Sequence, residues 1–394
     1  MKKFLSRTVW LLSLVSLFND VASEMLIPVM PVFLKSIGFS VLLIGLLEGA
    51  AEATAGLSKG YFGKLSDNSG KRLPFVQLGY GLSAIAKPVM ALLARPFWVF
   101  LARTSDRFGK GIRTGARDAM LSDASKHEVK GSVFGFHRSM DTLGAVLGPC
   151  FALLFLHYYP GRYRELFLVA FLPGIVAVST TFLLREKRDI VPSEKTVSFF
   201  SFLSYWKESP PAYRKLVIGL LLFALVNSSD IFLLLRARDF GLDDNGVIGL
   251  YVAYNLLYAL LAFPMGMMAD KIGMKKVLVL GIVLFSVAYG CMAFAGKPGL
   301  VTVSFLVYAW SVACLEGISR AWITLVTDRK DTGAAIGTYS AFLSLCSMVA
   351  SMLTGFLWYR FGAMTAFLVS SAVALLTAVY FTLLQDPGNR FRQE

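Results

Sequence analysis

Charged residues and cysteines are scarce in this sequence, and both shortages limit what the protein can be. Only 16% of the 394 residues are charged and 56% are hydrophobic, whereas a soluble domain has about 25% charged residues. The four cysteines show no CxxC spacing, which argues against a disulfide framework and a zinc site. We therefore favour a membrane protein and expect neither a metal nor another cofactor.

Several motifs of catalysis and nucleic-acid binding are also missing. The chain contains no Walker loop and no HExxH pair, so the sequence indicates neither an ATP-driven pump nor a zinc hydrolase. Lys and Arg exceed Asp and Glu, 39 to 25, but no basic block with interleaved aromatics accompanies the excess. We expect no enzyme and no nucleic-acid partner. An intramembrane enzyme, a channel and a non-transporting receptor stay open as remote alternatives.

Long apolar runs recur along the whole chain. A helix needs about 20 mainly apolar residues to cross the roughly 30 Å hydrocarbon layer. Twelve such spans are predicted, at 8–36, 41–62, 73–93, 97–124, 132–157, 165–185, 214–238, 246–268, 276–295, 300–326, 334–359 and 364–384. The fold class is therefore an all-α membrane protein with two six-helix halves, 1–185 and 214–394, joined by a polar linker, 186–213.

The basic residues outside the spans indicate the topology. With the N-terminus in the cytoplasm, the outer loops hold few bases, and most of the others fall on the cytoplasmic side. This bias is the positive-inside rule, so both termini are expected in the cytoplasm. The chain begins Met-Lys-Lys and has no small-residue cleavage site, so we expect the first span to be retained. Because one chain contains both halves, we expect a monomer in the lipid bilayer.

One motif occurs at the same place in each half. Residues 63–72 and 266–275 both read Gly-x3-Asp-x2-Gly-x-basic, after the second and the eighth span. Glycines permit a tight turn, and the acids and bases can pair or cap neighbouring helix ends. The pattern indicates a duplicated half. A simpler interpretation, that the bases only set topology, stays open.

This layout resembles the major facilitator superfamily, which has this pattern between helices 2 and 3 and often again between helices 8 and 9. In that family the loop latches the two halves in the outward-open state. The resemblance therefore implies a conformational latch formed by Gly63, Asp67, Gly70, Lys71, Arg72, Asp123, Gly266, Asp270, Gly273 and Lys275.

Further stretches resemble particular branches of the superfamily. Gly144 and Gly148-Pro149 match half of the antiporter motif Gly-x3-Gly-Pro-x2-Gly-Gly, but Ala152 and Leu153 replace its final glycines. The stretches 19–25, 109–114, 117–119 and 136–141 look like a bacterial, drug-efflux-like branch. The resemblance implies a transporter of the bacterial inner membrane and favours export.

Acids and bases occur in equal number within the spans, away from the span ends. The acids are Asp20, Glu24, Glu48, Glu52, Asp106, Asp118, Asp141, Asp230 and Glu316, and the bases are Lys59, Lys87, Arg103, Arg107, Lys110, Arg113, Arg117, Arg138 and Arg320. Each charge facing lipid would cost about 2.5–3.5 kcal/mol, so these side chains are expected to face the bundle interior or a watery cavity. Most belong to the first half, where the chemistry should be concentrated.

Proton coupling needs a carboxyl group that can be neutral on one side of the membrane and ionised on the other. The candidates are Asp20, Glu24, Glu48, Glu52 and Asp141. We favour Asp20 and Glu24, because Pro28 and Pro31 directly beyond them predict a hinge. A structural ion-pair network is the alternative.

Other polar residues within the spans are candidates for the substrate cavity. They are Asn19, Arg113, Arg117, His137, Arg138, Asn227, Asp230, Tyr251, Asn255, Glu316 and Arg320. Together the features predict a secondary transporter that moves a small polar or amphiphilic solute by alternating access, as a proton-coupled antiporter. Proton-coupled uptake of an organic anion or metabolite, drawn to the arginines, is the alternative.

Overall fold

A computed structural model describes residues 5–27, 29–30, 33–34, 37–38, 41–92, 95–186, 201–242 and 244–384, and the side chains of all these except 41–50, 52–53, 201–203, 231, 244–245 and 248. Fourteen α-helices occur in this part of the chain: α1 Arg7–Glu24, α2 Val41–Asn68, α3 Leu73–Leu92, α4 Pro96–Asp123, α5 Lys130–Tyr158, α6 Tyr163–Thr181, α7 Ser201–Glu208, α8 Pro211–Ala224, α9 Ile231–Asp239, α10 Asp244–Ile272, α11 Met274–Ala293, α12 Pro298–Leu325, α13 Thr332–Phe361 and α14 Ala363–Leu383.

The helix boundaries follow local sequence signals. Ser6 caps α1 by accepting a hydrogen bond from the amide of Val9 at 3.3 Å. A proline is the first residue of α4, α8 and α12, where the missing amide hydrogen costs nothing. The last glycines of the two repeated motifs, Gly70 and Gly273, have φ angles of 64° and 104°, which favour glycine.

Within the described residues, eight helices are long and apolar enough to cross a membrane. The helix α4 is not among them, although it has 28 residues, because charged residues are spaced along its whole length. Many of these charged side chains are nevertheless buried, including Arg103, Asp106, Arg113 and Asp118. This burial agrees with the expectation that charged side chains within the spans face the bundle interior rather than lipid.

Several predicted boundaries were wrong. The motifs predicted as loops lie largely in helices, since α2 continues to Asn68 and α10 to Ile272. Within the first predicted span, helix α1 ends at Glu24, but the Met30 and Phe33 amides donate to the Leu26 and Val29 carbonyls, so helical hydrogen bonding resumes there. Pro28 and Pro31 lie outside the described residues. The seventh span is interrupted at residues 225–230, between α8 and α9.

The chain forms two compact units. The first comprises residues 1–125, 140–208 and 328–341, and the second comprises 126–139, 209–327 and 342–394. Each unit therefore includes the first residues of one long helix, α5 or α13, whose remainder belongs to the other unit. The predicted linker, 186–213, contains the two-turn helix α7, which is attached to α2 by a 3.0 Å hydrogen bond from Lys64 Nζ to Ser204 Oγ.

Candidate functional site

The first unit contains a cluster of acids between α1 and α5. The carboxyl groups of Asp20 and Asp141 lie within hydrogen-bonding reach of each other, and Glu24 lies close enough to interact with both. Ser16 Oγ donates a 2.5 Å hydrogen bond to Asp141 Oδ1, and Asn19 Nδ2 donates at 3.2 Å to Asp20 Oδ1. Two carboxyl groups in such contact can form a hydrogen bond only if one of them holds a proton.

Small residues allow this approach of α1 and α5. A Cβ atom at Gly144 would lie 2.6 Å from the carbonyl oxygen of Leu17 and 2.9 Å from the Cβ of Asp20. A Cβ at Gly148 would lie 2.9 Å from the Cβ of Glu24. The glycines retained from the antiporter motif therefore bring α5 against the two acids of α1.

Bases on α4 accompany this acid cluster. Lys110 acts electrostatically on both Asp20 and Glu24. Arg117 pairs with buried Asp118 through two bonds of 2.8 and 2.9 Å, and its Nη1 lies 3.4 Å from Ser16 Oγ. One hydroxyl group therefore connects the Arg117–Asp118 pair to the Asp141 carboxyl.

A second group of charges lies between α3 and α4. Asp106 is 3.9 Å from Lys87 and 3.5 Å from Arg103. Arg113 donates to Ser83 Oγ at 2.6 Å and to the Gly79 carbonyl at 3.3 Å, and its guanidinium lies 4.4 Å from the centre of the Tyr80 ring. These bonds give Arg113 and Asp106 a role in joining the two helices.

The structure distributes the predicted cavity residues between the two units. Asn19, Arg113 and Arg117 belong to the first unit, whereas His137, Arg138, Asn227, Asp230, Tyr251, Asn255, Glu316 and Arg320 belong to the second. In the second unit Arg138 forms a 3.3 Å ion pair with Glu316 and donates at 2.6 Å to the Tyr258 hydroxyl. Asn255 donates to the Tyr251 carbonyl at 3.0 Å, so it is bonded within its own helix.

Tyrosines contact Asp230, another acid of the second unit. Tyr308 donates a 2.7 Å hydrogen bond to Asp230 Oδ1, and the Tyr254 hydroxyl also reaches this carboxylate. The sequence analysis did not select Tyr254 or Tyr308. Their helical spacing from other aromatics looks like ordinary packing, and only the fold brings α10 and α12 to the break before α9.

The first copy of the repeated motif forms a set of charged contacts within the first unit. Arg72 is fully buried and pairs with Asp67 at 2.8 Å and, through a shorter contact, with Asp123. Asp123 also pairs with Arg329 at 2.8 Å, and Asp67 accepts a 2.7 Å hydrogen bond from the Ala334 amide at the start of α13. These residues therefore hold the first turn of α13.

Burial and close packing reinforce this contact. Asp67 lies beyond the apolar part of α2, and burial raises its pKa to about 7, against the opposite effects of Arg72 and the Ala334 amide. A Cβ atom at Gly63 would lie 2.2 Å from the carbonyl oxygen of Gly333. Lys71 is exposed and takes no part in these contacts, apart from a backbone bond to Ser69.

The second copy of the motif makes the equivalent contact with the first residues of α5. Asp270 accepts 2.7 Å hydrogen bonds from the amides of Gly131 and Ser132 and a shorter one from the Ser132 hydroxyl. A Cβ at Gly266 would lie 2.2 Å from the Gly131 carbonyl oxygen. Lys275 instead donates to the carbonyls of Thr382 and Leu384 at the end of α14, at 2.8 and 2.6 Å. The acid and the glycine are equivalent in both copies, whereas the base is not.

Glu186 also supports the first motif, and the sequence analysis missed it. Its carboxylate accepts hydrogen bonds from the amides of Arg72 and Leu73 at 2.6 and 3.0 Å, so it caps the start of α3. No local signal marks this role, because Glu186 lies more than a hundred residues away along the chain. The side chains of Glu48 and Glu52 lie outside the described residues.

The sequence also contains a glycine and serine spacing that is known from hydrolases. Gly56, Ser58 and Gly60 have the spacing G-x-S-x-G, which the sequence analysis overlooked. In α/β-hydrolases this motif forms a sharp turn between a strand and a helix and exposes the serine. Here the three residues lie inside α2, and Ser58 is only 2% exposed. The spacing therefore marks helix packing and not a nucleophile.

Comparisons with known proteins agree with this architecture. The family model of the Major Facilitator Superfamily matches residues 12–248 and 229–393. An uncharacterized MFS-type transporter of Methanocaldococcus jannaschii is 32% identical over 95% of this chain and 94% of its own length. Multidrug resistance protein MdtG of Klebsiella pneumoniae is 21% identical over 92% of this chain and 89% of its own length.

Solved structures share the fold. The human organic anion transporter MFSD10 (TETRAN) superposes with a TM-score of 0.78 at 16% identity, over 95% of this chain and 99% of its own. The Escherichia coli fucose:proton symporter FucP gives 0.77 at 12% identity, over 96% and 98%. The twelve-span layout, the duplicated motif and the match over nearly the whole chain lead to one conclusion: this chain is an integral membrane protein of the major facilitator superfamily.

Proposed function

We propose that the protein is a proton-coupled exporter of a small polar or amphiphilic solute in the cytoplasmic membrane, with both termini in the cytoplasm. Transport would proceed by alternating access of the two halves, 1–185 and 214–394. The contact between the Asp20 and Asp141 carboxyl groups supports this proposal most directly. A buried pair of acids that shares one proton can release it when a neighbouring charge or a substrate changes position.

The surroundings of the pair are suited to proton transfer. Asp141 is bonded to Ser16, and Asp20 lies near Glu24 and Lys110, so several polar groups can accept or donate a proton locally. The pair also lies where Gly144 and Gly148 bring α5 against α1. A shift of α5 along α1 would therefore change the distance between the two carboxyl groups.

The motif contacts supply the conformational part of the proposal. Asp67, Arg72 and Asp123 hold the start of α13, and Asp270 holds the start of α5. We propose that both contacts act as latches that close in one transport state and open in the other. Gly63, Gly70, Gly266 and Gly273 supply the close approach and the turns that these contacts need.

The direction of transport is proposed on two grounds. The retained glycines of the antiporter motif lie at the acid pair, and a multidrug resistance protein is among the relatives. A symporter also shares the fold, so coupled uptake is the alternative to be tested.

Transport of ethidium by reconstituted protein tests the coupling. With an imposed pH gradient, we expect wild-type proteoliposomes to move ethidium against its gradient, and Asp20→Asn and Asp141→Asn to lose at least about 90% of this activity. Both variants should retain counterflow at equal pH, because exchange of solute needs no net proton movement. Glu165→Gln is the control, since this carboxylate is exposed at the start of α6.

Two results would oppose the proposal. Gradient-driven transport at the wild-type rate in both variants would remove the acid pair from coupling. Ethidium that moves together with protons, and not against them, would replace antiport by symport.

A further inference from the structure

The break in the seventh span creates a polar point within an apolar segment. Helix α8 ends at Ala224 and α9 begins at Ile231. The amides of Leu225 and Asn227 still donate to carbonyls of α8, so the break is centred on the residues that follow Asn227. The Ser229 amide instead bonds to the Ser351 hydroxyl at 3.2 Å. Interrupted helices of this kind place backbone dipoles and side chains where a substrate can meet them.

Asp230 lies at the end of this break and is only partly buried. Its side chain makes no capping bond to α9, and its described hydrogen-bond partners are the hydroxyls of Tyr308, at 2.7 Å, and Tyr254. Among the residues whose side chains are described, no base lies within ion-pair distance of Asp230. Glu316 adds further negative potential at this carboxylate.

Further aromatic rings pack against the tyrosines that contact Asp230. Tyr254 and Tyr308 are stacked, with ring centres 5.4 Å apart and planes 13° apart. Phe305 meets Tyr254 edge-on at 5.5 Å, and Tyr251 lies 6.0 Å from Tyr254. The faces of such rings carry negative potential, and together with a carboxylate they form the surroundings that bind organic cations.

One base of the second unit, Arg138, already has partners. Arg138 pairs with Glu316 at 3.3 Å and with the Tyr258 hydroxyl at 2.6 Å. An anionic solute would have to displace Glu316 from Arg138, whereas Asp230 has no base within ion-pair distance among the described side chains and could accept a cationic solute. The charges of the second unit therefore favour a cation.

We propose that Asp230, Tyr254 and Tyr308 form a binding subsite for the positively charged group of the transported solute, and that this solute is an organic cation. This inference rests on the proposed transport function and adds the substrate class. The carboxylate would supply the charge, and the tyrosine rings would supply cation–π contact and exclude water.

Equilibrium binding to purified protein tests the subsite without any gradient. The probes are tetraphenylphosphonium and tetraphenylborate, which have the same shape and opposite charge. We expect the wild-type protein to bind the phosphonium at least tenfold more tightly than the borate. Because both probes are hydrophobic ions of similar size, a general affinity for hydrophobic ions would give similar dissociation constants for the two.

Variants locate the binding. Asp230→Asn should weaken phosphonium binding at least tenfold, and Tyr308→Leu should do the same because it removes a ring. Tyr308→Phe keeps the ring and should weaken binding less than Tyr308→Leu does. Asp239→Asn is the matched control, since it removes an exposed carboxylate at the other end of α9 and should leave binding unchanged.

The result is independent of the coupling proposal. Loss of pH-driven transport in Asp20→Asn with intact phosphonium binding would support both proposals, whereas phosphonium binding without any proton dependence of transport would refute only the coupling. Borate binding as tight as phosphonium binding, or wild-type phosphonium affinity in Asp230→Asn, would overturn the subsite. If Asp230→Asn does not fold, the comparison of the two probes on wild-type protein still tests whether the protein prefers a cation.

Discussion

The two compact units hold acids in different surroundings. In the first unit Asp118 faces Arg117, Asp106 faces Lys87 and Arg103, and Asp20 faces Asp141. In the second unit Asp230 faces tyrosine hydroxyls, and a base is engaged elsewhere. An acid paired with a base is neutralised permanently, but an acid paired with another acid or with hydroxyls can still exchange a proton or a ligand.

This difference separates charges that stabilise the fold from charges that are candidates for binding a proton or a solute. The ion pairs of α4 are candidate structural charges, since Asp106 and Asp118 each contact bases. In contrast, Asp20 contacts another acid, Asp141, and Asp230 contacts tyrosine hydroxyls. We therefore propose a division of labour, with proton exchange in the first unit and solute binding in the second.

The largest expected effect on stability distinguishes the bases of the two repeated motifs. Arg72→Ala leaves Asp67 and Asp123 without their buried partner and should lower the free energy of unfolding by about 3–5 kcal/mol. Lys275→Ala removes bonds to two carbonyls at a helix end and should cost about 1 kcal/mol. Unfolding of the purified protein measured by intrinsic fluorescence checks both.

Lys71→Ala is the control for this comparison, because it removes the exposed base next to Arg72 and should be neutral. Equal losses for Arg72→Ala and Lys71→Ala would mean that the first motif acts through its net charge. That outcome would favour the interpretation that these bases only set topology.

A smaller effect on stability is expected when one acid of each unit is replaced by its amide. Asp118→Asn weakens the two-bond contact with Arg117 and should cost about 1.5–3 kcal/mol, the value of a hydrogen bond to a charged group. Asp230→Asn should cost less than about 1 kcal/mol, because the Tyr308 hydroxyl can donate to the amide oxygen as well. Thermal unfolding of both variants in the same detergent gives the comparison. Equal destabilisation by the two changes would place Asp230 among the structural charges.

The sequence indicated the helical membrane fold because apolar runs and the duplicated motif are local, repeated signals. It also indicated that Asp67, Arg72 and Asp270 act near helix ends. It placed Asp123 in the same latch, but it did not indicate the backbone partners of the two acids. The amides of Ala334 and Gly131 that Asp67 and Asp270 contact lie far away along the chain, and any residue except proline offers such an amide.

Other features depend on three-dimensional packing. The break before Asp230 was missed because its polar residues, 227–230, have apolar residues on both sides, and the whole stretch was assigned to one span. The Asp20–Asp141 contact joins two helices, and i,i+4 spacing can only show which residues share a face of one helix. The extent of α2 was underestimated because a helix need not end where its apolar part ends.

The central claim is that the Asp20–Asp141 pair shares an exchangeable proton. Infrared pH-difference spectroscopy of purified protein tests it most directly, because a protonated carboxyl group has an absorption band of its own. We predict a titrating band in the wild type that disappears in Asp20→Asn and in Asp141→Asn and persists in Glu165→Gln. A band that is unchanged in both Asp variants would contradict the claim.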